Sequence, residues 1–453
     1  MCRGTMKWAD SWVIQTLKEQ AVDADVRKAM RQARQGSGLK WDRFAHEAGF
    51  SRSHLRAVEN GTRAVTADVA RAYDRVLGTG AAFSEMVDGP QAAPWNRQGT
   101  LEVLSDQARG CGVDRRSFVI TSGAALAALL GHWRTTVTGQ SEPSAATAAV
   151  LRGGPPFGTS ALFDHIGDRL EHLRHLDDEL GSGQMARLAR NELVLLTQLI
   201  NAGGLPEHAE ARALSLAAEA ARQTAWSLFD SDRHAAAERY FETALRASAT
   251  AVDVTAGAYA MSFQAVQHYT VGDPRDAVNL LTFAEESVAG RSTPRMRAML
   301  AARKARALSK TGDRHAVTRA LHHARELLER GPHDDDPPVL YWVTLAEIEM
   351  IAGSSALELH DPAAALHFFT AAADADYPGD QQFPRSHAIY LARAAEAHLA
   401  LHDLDAAVTC ARHAARCLSA VDSARSDSAL SGLRRKLAPH SASRTVRDFL
   451  QGG

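Results

Sequence analysis

The sequence predicts an all-α protein in two unequal parts, a small helical headpiece and a long array of paired helices. Three observations lead there. Residues 38–61, GLKWDRFAHEAGFSRSHLRAVENG, hold two short amphipathic stretches on either side of a glycine. From about 157 to 438 Ala, Leu and Arg dominate with few β-branched runs, a composition that favours helix. Within that stretch five segments repeat at nearly constant intervals, which is how stacked helix pairs announce themselves.

In the headpiece, Leu39, Phe44 and Ala45 fall on one side at helical spacing, and Lys40, Asp42, Arg43 and Glu47 fall on the other. Gly49 supplies the positive φ of a tight turn. After an inward Phe50, Ser51 caps a second helix in which Leu55 and Val58 form the buried stripe. Arg52, Ser53, Arg56 and Ala57 are then left facing outward, where base edges would be met.

These residues resemble the XRE (lambda Cro-like) helix-turn-helix family. Its Gly-Leu start, Ala-Gly turn and terminal Glu-Asn-Gly are matched by Gly38-Leu39, Ala48-Gly49 and Glu59-Asn60-Gly61. The resemblance spans about residues 26 to 78. It implies a lambda-repressor-like domain, at 26–80, that binds double-stranded DNA with its second helix in the major groove. Carried onto this chain, Arg52, Ser53 and Ala57 would approach bases with His54 and Arg56 beside them, Asn60, Thr62 and Arg63 would touch phosphate, and Ser51 joins them in the DNA-binding set. The family's phosphate-binding Gln is replaced by Trp41, whose indole can donate a hydrogen bond but not accept one.

Charge agrees. Residues 26–80 carry eleven Lys and Arg against five Asp and Glu, whereas the whole chain has a net charge of −2. A local basic patch on a mildly acidic protein is the footprint of phosphate binding. At 453 residues the chain is long enough for two or three cores. Four scattered cysteines (Cys2, Cys111, Cys410, Cys417) give no disulfide framework and suit a reducing cytoplasm. Cys410 and Cys417 share a helix face and read as small core residues or, alternatively, a redox pair. Forty-four Arg against seven Lys is the usage of a high-GC bacterial genome.

Residues 1–25 read as a helical extension with Trp8, Trp12 and Leu17 on one stripe. Between 81 and 156 Gly and Pro mark a linker. Inside it, Asp114-Arg115-Arg116-Ser117-Phe118 and the apolar run to Leu130 resemble a twin-arginine export signal. The run is internal and too short for a bilayer, so a docking helix near 114–133, capped by Asp114, is the expectation, with no membrane partner.

The repeats align on Asp232, Asp273, Asp313, Asp361 and Asp403, spaced 41, 40, 48 and 42 residues apart. Each Asp is expected to cap a second helix, with a small residue four positions on (Ala236, Ala277, Ala365, Ala407; Val317 in the third repeat) letting the paired helix approach. The pattern resembles the tetratricopeptide repeat, whose Gly-Asp turn and downstream small residue are matched at Gly272-Asp273-Ala277 and in part at Gly312-Asp313. That resemblance implies a TPR-like α-solenoid over 157–438, with a short tail at 439–453, and a concave face that binds peptides rather than performing chemistry. Tyr259, Tyr269, Arg306, Tyr341, Trp342 and Arg393 are the candidates to line it. The acidic loop Gly331–Pro338 either binds a divalent cation or is simply solvated.

No catalytic motif is evident. His46-Glu47 lacks a second zinc-protease histidine, and no Walker loop or Gly-x-Ser-x-Gly elbow occurs. Gly203-Gly204 reads as a helix end. Twenty histidines are spread without metal-ligand spacing, so neither a metal nor another cofactor is expected. The combined architecture resembles actinobacterial-type XRE regulators and peptide-responsive quorum-sensing regulators. It implies a cytoplasmic, homodimeric, non-enzymatic transcriptional regulator whose repeat domain senses a peptide, small ligand or protein partner. The alternative is a TPR scaffold in which the helix-turn-helix is a tether or protein contact.

Overall fold

A computed structural model describes residues 27, 30–63, 65–79, 83, 93–109, 121–139, 159–379, 382–419 and 421–451. The expected extension at 1–25 and the Arg115-Arg116 segment lie outside the described residues. The chain divides into two compact units, Met1–Ala93 and Pro94–Gly453. All regular structure among the described residues is helical, apart from one isolated bridge, Gly181 to Asp422.

The first unit contains α1 (30–36), α2 (Trp41–Ala48), α3 (Arg52–Glu59) and α4 (Ala67–Leu77). Gly49 ends α2 at φ 75°, and its amide donates to the Ala45 and His46 carbonyls, so the residue that closes one helix also turns the chain into the next. The Ser51 side chain accepts from the His54 amide and starts α3, while Thr66 does the same for α4. Met30, Phe44, Leu55, Val58, Val69 and Tyr73 are fully buried together, with Phe44 edge-on to Tyr73 at 4.7 Å.

The second unit begins with α5 (Arg97–Arg109) and α6 (Gly123–Gly139). Six helix hairpins follow. They are α7/α8 (Thr159–Leu180, Met185–Asn201), α9/α10 (Glu207–Asp230, His234–Thr250), α11/α12 (Val254–Val271, Pro274–Ser287), α13/α14 (Pro294–Thr311, Arg314–Leu328), α15/α16 (Leu345–Glu358, Pro362–Asp374) and α17/α18 (Pro384–Ala400, Leu404–Leu418). Then come α19 (Ala424–Leu437) and α20 (Arg444–Gln451). Each odd-numbered helix from α7 packs on the next odd-numbered one, and α17 returns to touch α7. The array therefore curls into a superhelix whose ends meet. The helices α5 and α6 dress its other face, packing on α8, α10 and α12.

The Asp caps are present at four repeats: Asp273, Asp313, Asp361 and Asp403 each accept an amide of the helix that follows. Asp232 does not cap. It sits at φ 63°, the left-handed turn position that His360 and His402 occupy in later repeats, and Arg233 takes the cap position without a side-chain bond. The first repeat is thus shifted by one residue, and its counterpart of fully buried Ala277, Ala365 and Ala407 is Ala237 rather than Ala236. Gly203 and Gly204, at φ 74° and 79°, do end a helix.

Within the expected docking segment a helix starts at Gly123, whose amide donates to Asp276 of α12 at 3.0 Å; the expected cap, Asp114, lies outside the described residues. In the C-terminal stretch, α20 buries Val446 and Phe449 against α18. The docking itself depends on Trp133, buried in α6, whose indole donates to Ser248 Oγ at 3.1 Å. Gly257 leaves room for that ring: a Cβ there would lie 2.5 Å from Trp133 Cζ2. Gly257→Val should lower the stability of this unit by about 1–3 kcal/mol through overpacking. Urea unfolding followed by tryptophan fluorescence would show it, and an unchanged midpoint would mean that α6 is not held this way.

Candidate nucleic-acid interface and ligand cavity

The outward face of α3 is held from behind by one carboxylate. Glu59, the glutamate of the Glu-Asn-Gly sequence, is only 5% exposed. It accepts two hydrogen bonds from Arg34 (Nε to Oε1 2.8 Å, Nη2 to Oε2 3.0 Å) and one from the Tyr73 hydroxyl at 2.8 Å. The hydrogen bond to Glu59 raises the Arg34 pKa against the opposing effect of burial, and burial followed by Glu59 pushes the Tyr73 phenol well up. Because α1, α3 and α4 each contribute one group, the network locks α3 to its scaffold.

Around this lock the predicted contacts are arranged as follows. Ser51, Arg52, Ser53, Arg56, Asn60, Thr62 and Arg63 are exposed, and Trp41, His54 and Ala57 are half-buried. Trp41 is a shelf: the Arg34 guanidinium lies 3.7 Å from its ring centroid, and Arg56 approaches the same ring at 5.6 Å. Arg52 donates to exposed Asp42 at 2.9 Å, a surface pair weak enough to exchange for a phosphate. The chain beyond α3 folds back on it, with the Thr62 hydroxyl donating to the Ala57 carbonyl at 3.0 Å and Arg63 Nη1 2.9 Å from His54 Nδ1. His54 also stacks on Phe50, 5.3 Å apart. Asn60 accepts from Arg31 at 3.3 Å.

In the second unit the odd-numbered helices surround a cavity of about 160 Å³, which adjoins one of about 390 Å³. Five of the six predicted lining residues, Tyr259, Tyr269, Arg306, Tyr341 and Trp342, meet in the first. Arg393 opens into the second, which shares Tyr269 and Arg306 with the first. Tyr341 and Trp342 reach the cavity because the segment after α14 crosses it. This also explains the longer third repeat interval. In that loop Asp336 accepts from the His333 amide and lies 3.4 Å from Arg295 Nε, so it braces the loop.

The groups that close the ring were not evident in the sequence. Arg385 of α17 donates to Asp177 Oδ2 at 2.7 Å and lies 3.5 Å from Asp178 and 3.8 Å from Asp230. Arg425 donates to Asp230 at 2.9 Å, and Trp226 donates to Asp177 at 3.1 Å. One or two turns away on the same helices, α7 and α9, Glu219 pairs with Arg222 and Arg174. Burial would push its carboxyl up, but the two guanidinium groups, Arg222 foremost, hold it at about 2. Asp178, which accepts from the Tyr341 hydroxyl, is instead pushed up to about 6 by burial, which outweighs Arg385.

Once these pairs are made, cationic groups are in excess. Arg303 donates to the Ser262 carbonyl at 2.8 Å and lies over Phe263 and Trp342, with no carboxylate in ion-pair range among the described residues. Arg306 meets Glu358 at 3.2 Å. Arg393 has no ion pair among the described residues, and burial, then the charge of Arg306, lowers its pKa to about 10. Such an array, walled by Tyr259, Phe263, Tyr269 and Trp342, suits an anionic group attached to an apolar or planar body.

A family model for helix-turn-helix domains matches residues 30–83. That stretch holds the four helices of the first unit. The N-terminal part of this chain is therefore a helix-turn-helix module. No curated protein matches the chain.

Two tests follow from this geometry. Glu59→Ala should strand the Arg34 charge and destabilise the first unit by roughly 3–5 kcal/mol. Hydrogen exchange over residues 30–79 of the full chain would report it, and unchanged protection would contradict the lock. Glu347, beside the cavity, accepts from Tyr390 at 2.5 Å and is pushed up to about 7 by burial. The folded state therefore keeps a proton that the unfolded chain releases near its ordinary value, so this group's stabilisation is complete below about pH 4.5 and is lost as pH rises to 7. Glu347→Gln should flatten that part of the stability profile; a profile identical to that of the unsubstituted chain would show that the carboxyl does not titrate there.

Proposed function

We propose that this protein is a sequence-specific DNA-binding transcriptional regulator whose helical-repeat unit senses a peptide, small ligand or protein partner. The observation that carries the reading is the exposed, basic outer face of α3, with Arg52, Ser53 and Arg56 projecting from a helix capped by Ser51 and pinned by Glu59. The helix-turn-helix match over the same residues supports it. Arg52 and Arg56 would read bases, and Asn60, Thr62 and Arg63 would meet phosphates. Two copies would place two reading helices on successive half-sites, so the working form is a homodimer.

The ligand part of the proposal rests on the cavity. Its cationic surplus at Arg303 and Arg393 favours an anion, such as the carboxylate of a peptide, with its apolar part against the aromatic wall. Occupancy would regulate DNA binding only if the ligand prefers one state of the dimer over another. No helix among the described residues is long and apolar enough to cross a membrane.

Selection from a pool of random duplexes with the full-length chain tests the reading. A short shared motif should be enriched, and its affinity should fall steeply as salt is raised. Replacing Arg52 and Arg56 by Ala should weaken binding by about 1–3 kcal/mol for each base those side chains read. Binding indifferent to sequence and to both arginines would instead make the headpiece a tether.

A further inference from the structure

The geometry points to a transition-metal site, which we propose takes Zn²⁺ or a similar borderline-soft divalent cation, formed by His387, His413 and Cys417 on the α17/α18 hairpin. One ligand atom from each of the three lies within 4.8 Å of the other two. A tetrahedral zinc centre, with bonds of about 2.0–2.3 Å, holds its ligands about 3.3–3.8 Å apart, so modest side-chain rotation would complete it. His413 and Cys417 are four residues apart on α18 and so project from one face of that helix. His387 comes from the facing helix α17, its ring 5.2 Å from that of His413 at 76°.

The donor types fit the cation. Two imidazoles and a thiolate are the nitrogen and sulfur set that zinc prefers over magnesium or calcium, and three protein ligands leave a position open. Cys417 is 7% exposed and both histidines are half-buried, which limits water without closing the approach. Binding would release the Cys417 proton, so affinity falls as pH falls. Close by, the Tyr377 hydroxyl is buried without a hydrogen-bond partner among the described residues, and its ring packs on His387 at 5.6 Å. The same ring lies 6.0 Å from Tyr390, which donates to Glu347 in the cavity wall, so the site abuts the sensing region without using its residues. Sequence spacing hid it, because the ligands come from two helices.

Cobalt serves as the probe. The full-length chain, stripped with a chelator and kept reduced, is titrated with Co²⁺ and then with Zn²⁺ against a chromophoric chelator. We expect one Co²⁺ per chain with a thiolate-to-cobalt charge-transfer band that Zn²⁺ abolishes. C417S should remove the band, H387A and H413A should each weaken Zn²⁺ binding by on the order of 100-fold, and C410S, which alters the other thiol of α18, should change neither. Circular dichroism identifies any variant that fails to fold, and the half-buried histidines give two variants independent of the buried thiol. Failure to bind Co²⁺, a band that survives in C417S, or Zn²⁺ affinity unchanged in both histidine variants would overturn the site.

Discussion

A stack of helix pairs has no natural end, and in this protein its two ends are joined through one guanidinium. Arg385, 3% exposed, is removed from water, where an unpaired charge would be strongly destabilising. Asp177 and Asp178 of α7 and Asp230 of α9 surround it and offset the effect of burial, so its pKa is raised. The joint is reinforced by the backbone: Ser182 N donates to Asp422 O at 3.0 Å and Asp422 N donates to Leu180 O at 3.1 Å. Gly181 permits that approach, since it holds φ 83° and a Cβ there would be 2.4 Å from Asp422 O. The cavity, the charges that line it and the placement of Tyr341 and Trp342 all follow from this closure. An open array would present those side chains to water.

The same economy governs the small unit. A helix of eight residues has little stability of its own. Here α3 persists because Ser51 satisfies its first turn, Leu55 and Val58 bury one stripe, and Glu59 ties its end to α1 and α4. The glutamate of the Glu-Asn-Gly sequence is thereby a structural group, while the neighbouring Asn60 stays exposed.

What could be seen in the sequence divides along the same line. The headpiece was legible because its signals are local: a glycine turn, a cap and an apolar stripe within 24 residues. The Asp caps of four repeats, and the small residues of three of them, were legible for the same reason. Asp232 misled because an aspartate also tolerates the left-handed conformation, and only the backbone separates the two uses. The ring closure was not legible, since Arg385 and Asp177 are 208 residues apart and no periodicity links them. Tyr259, Tyr269 and Arg306 could be placed on inward faces by repeat phase. Arg303, Trp226 and Arg425, which share that interior, could not be distinguished from ordinary helix packing.

The proposed role of α3 is to read duplex DNA in the cell. Mapping chromosomal sites crosslinked to the tagged full-length chain, beside a folded variant lacking Arg52 and Arg56, tests it most directly. A limited set of sharp sites sharing a motif of two related half-sites, absent from the variant, is expected. A flat profile for the intact chain, or one the two arginines do not alter, would contradict it.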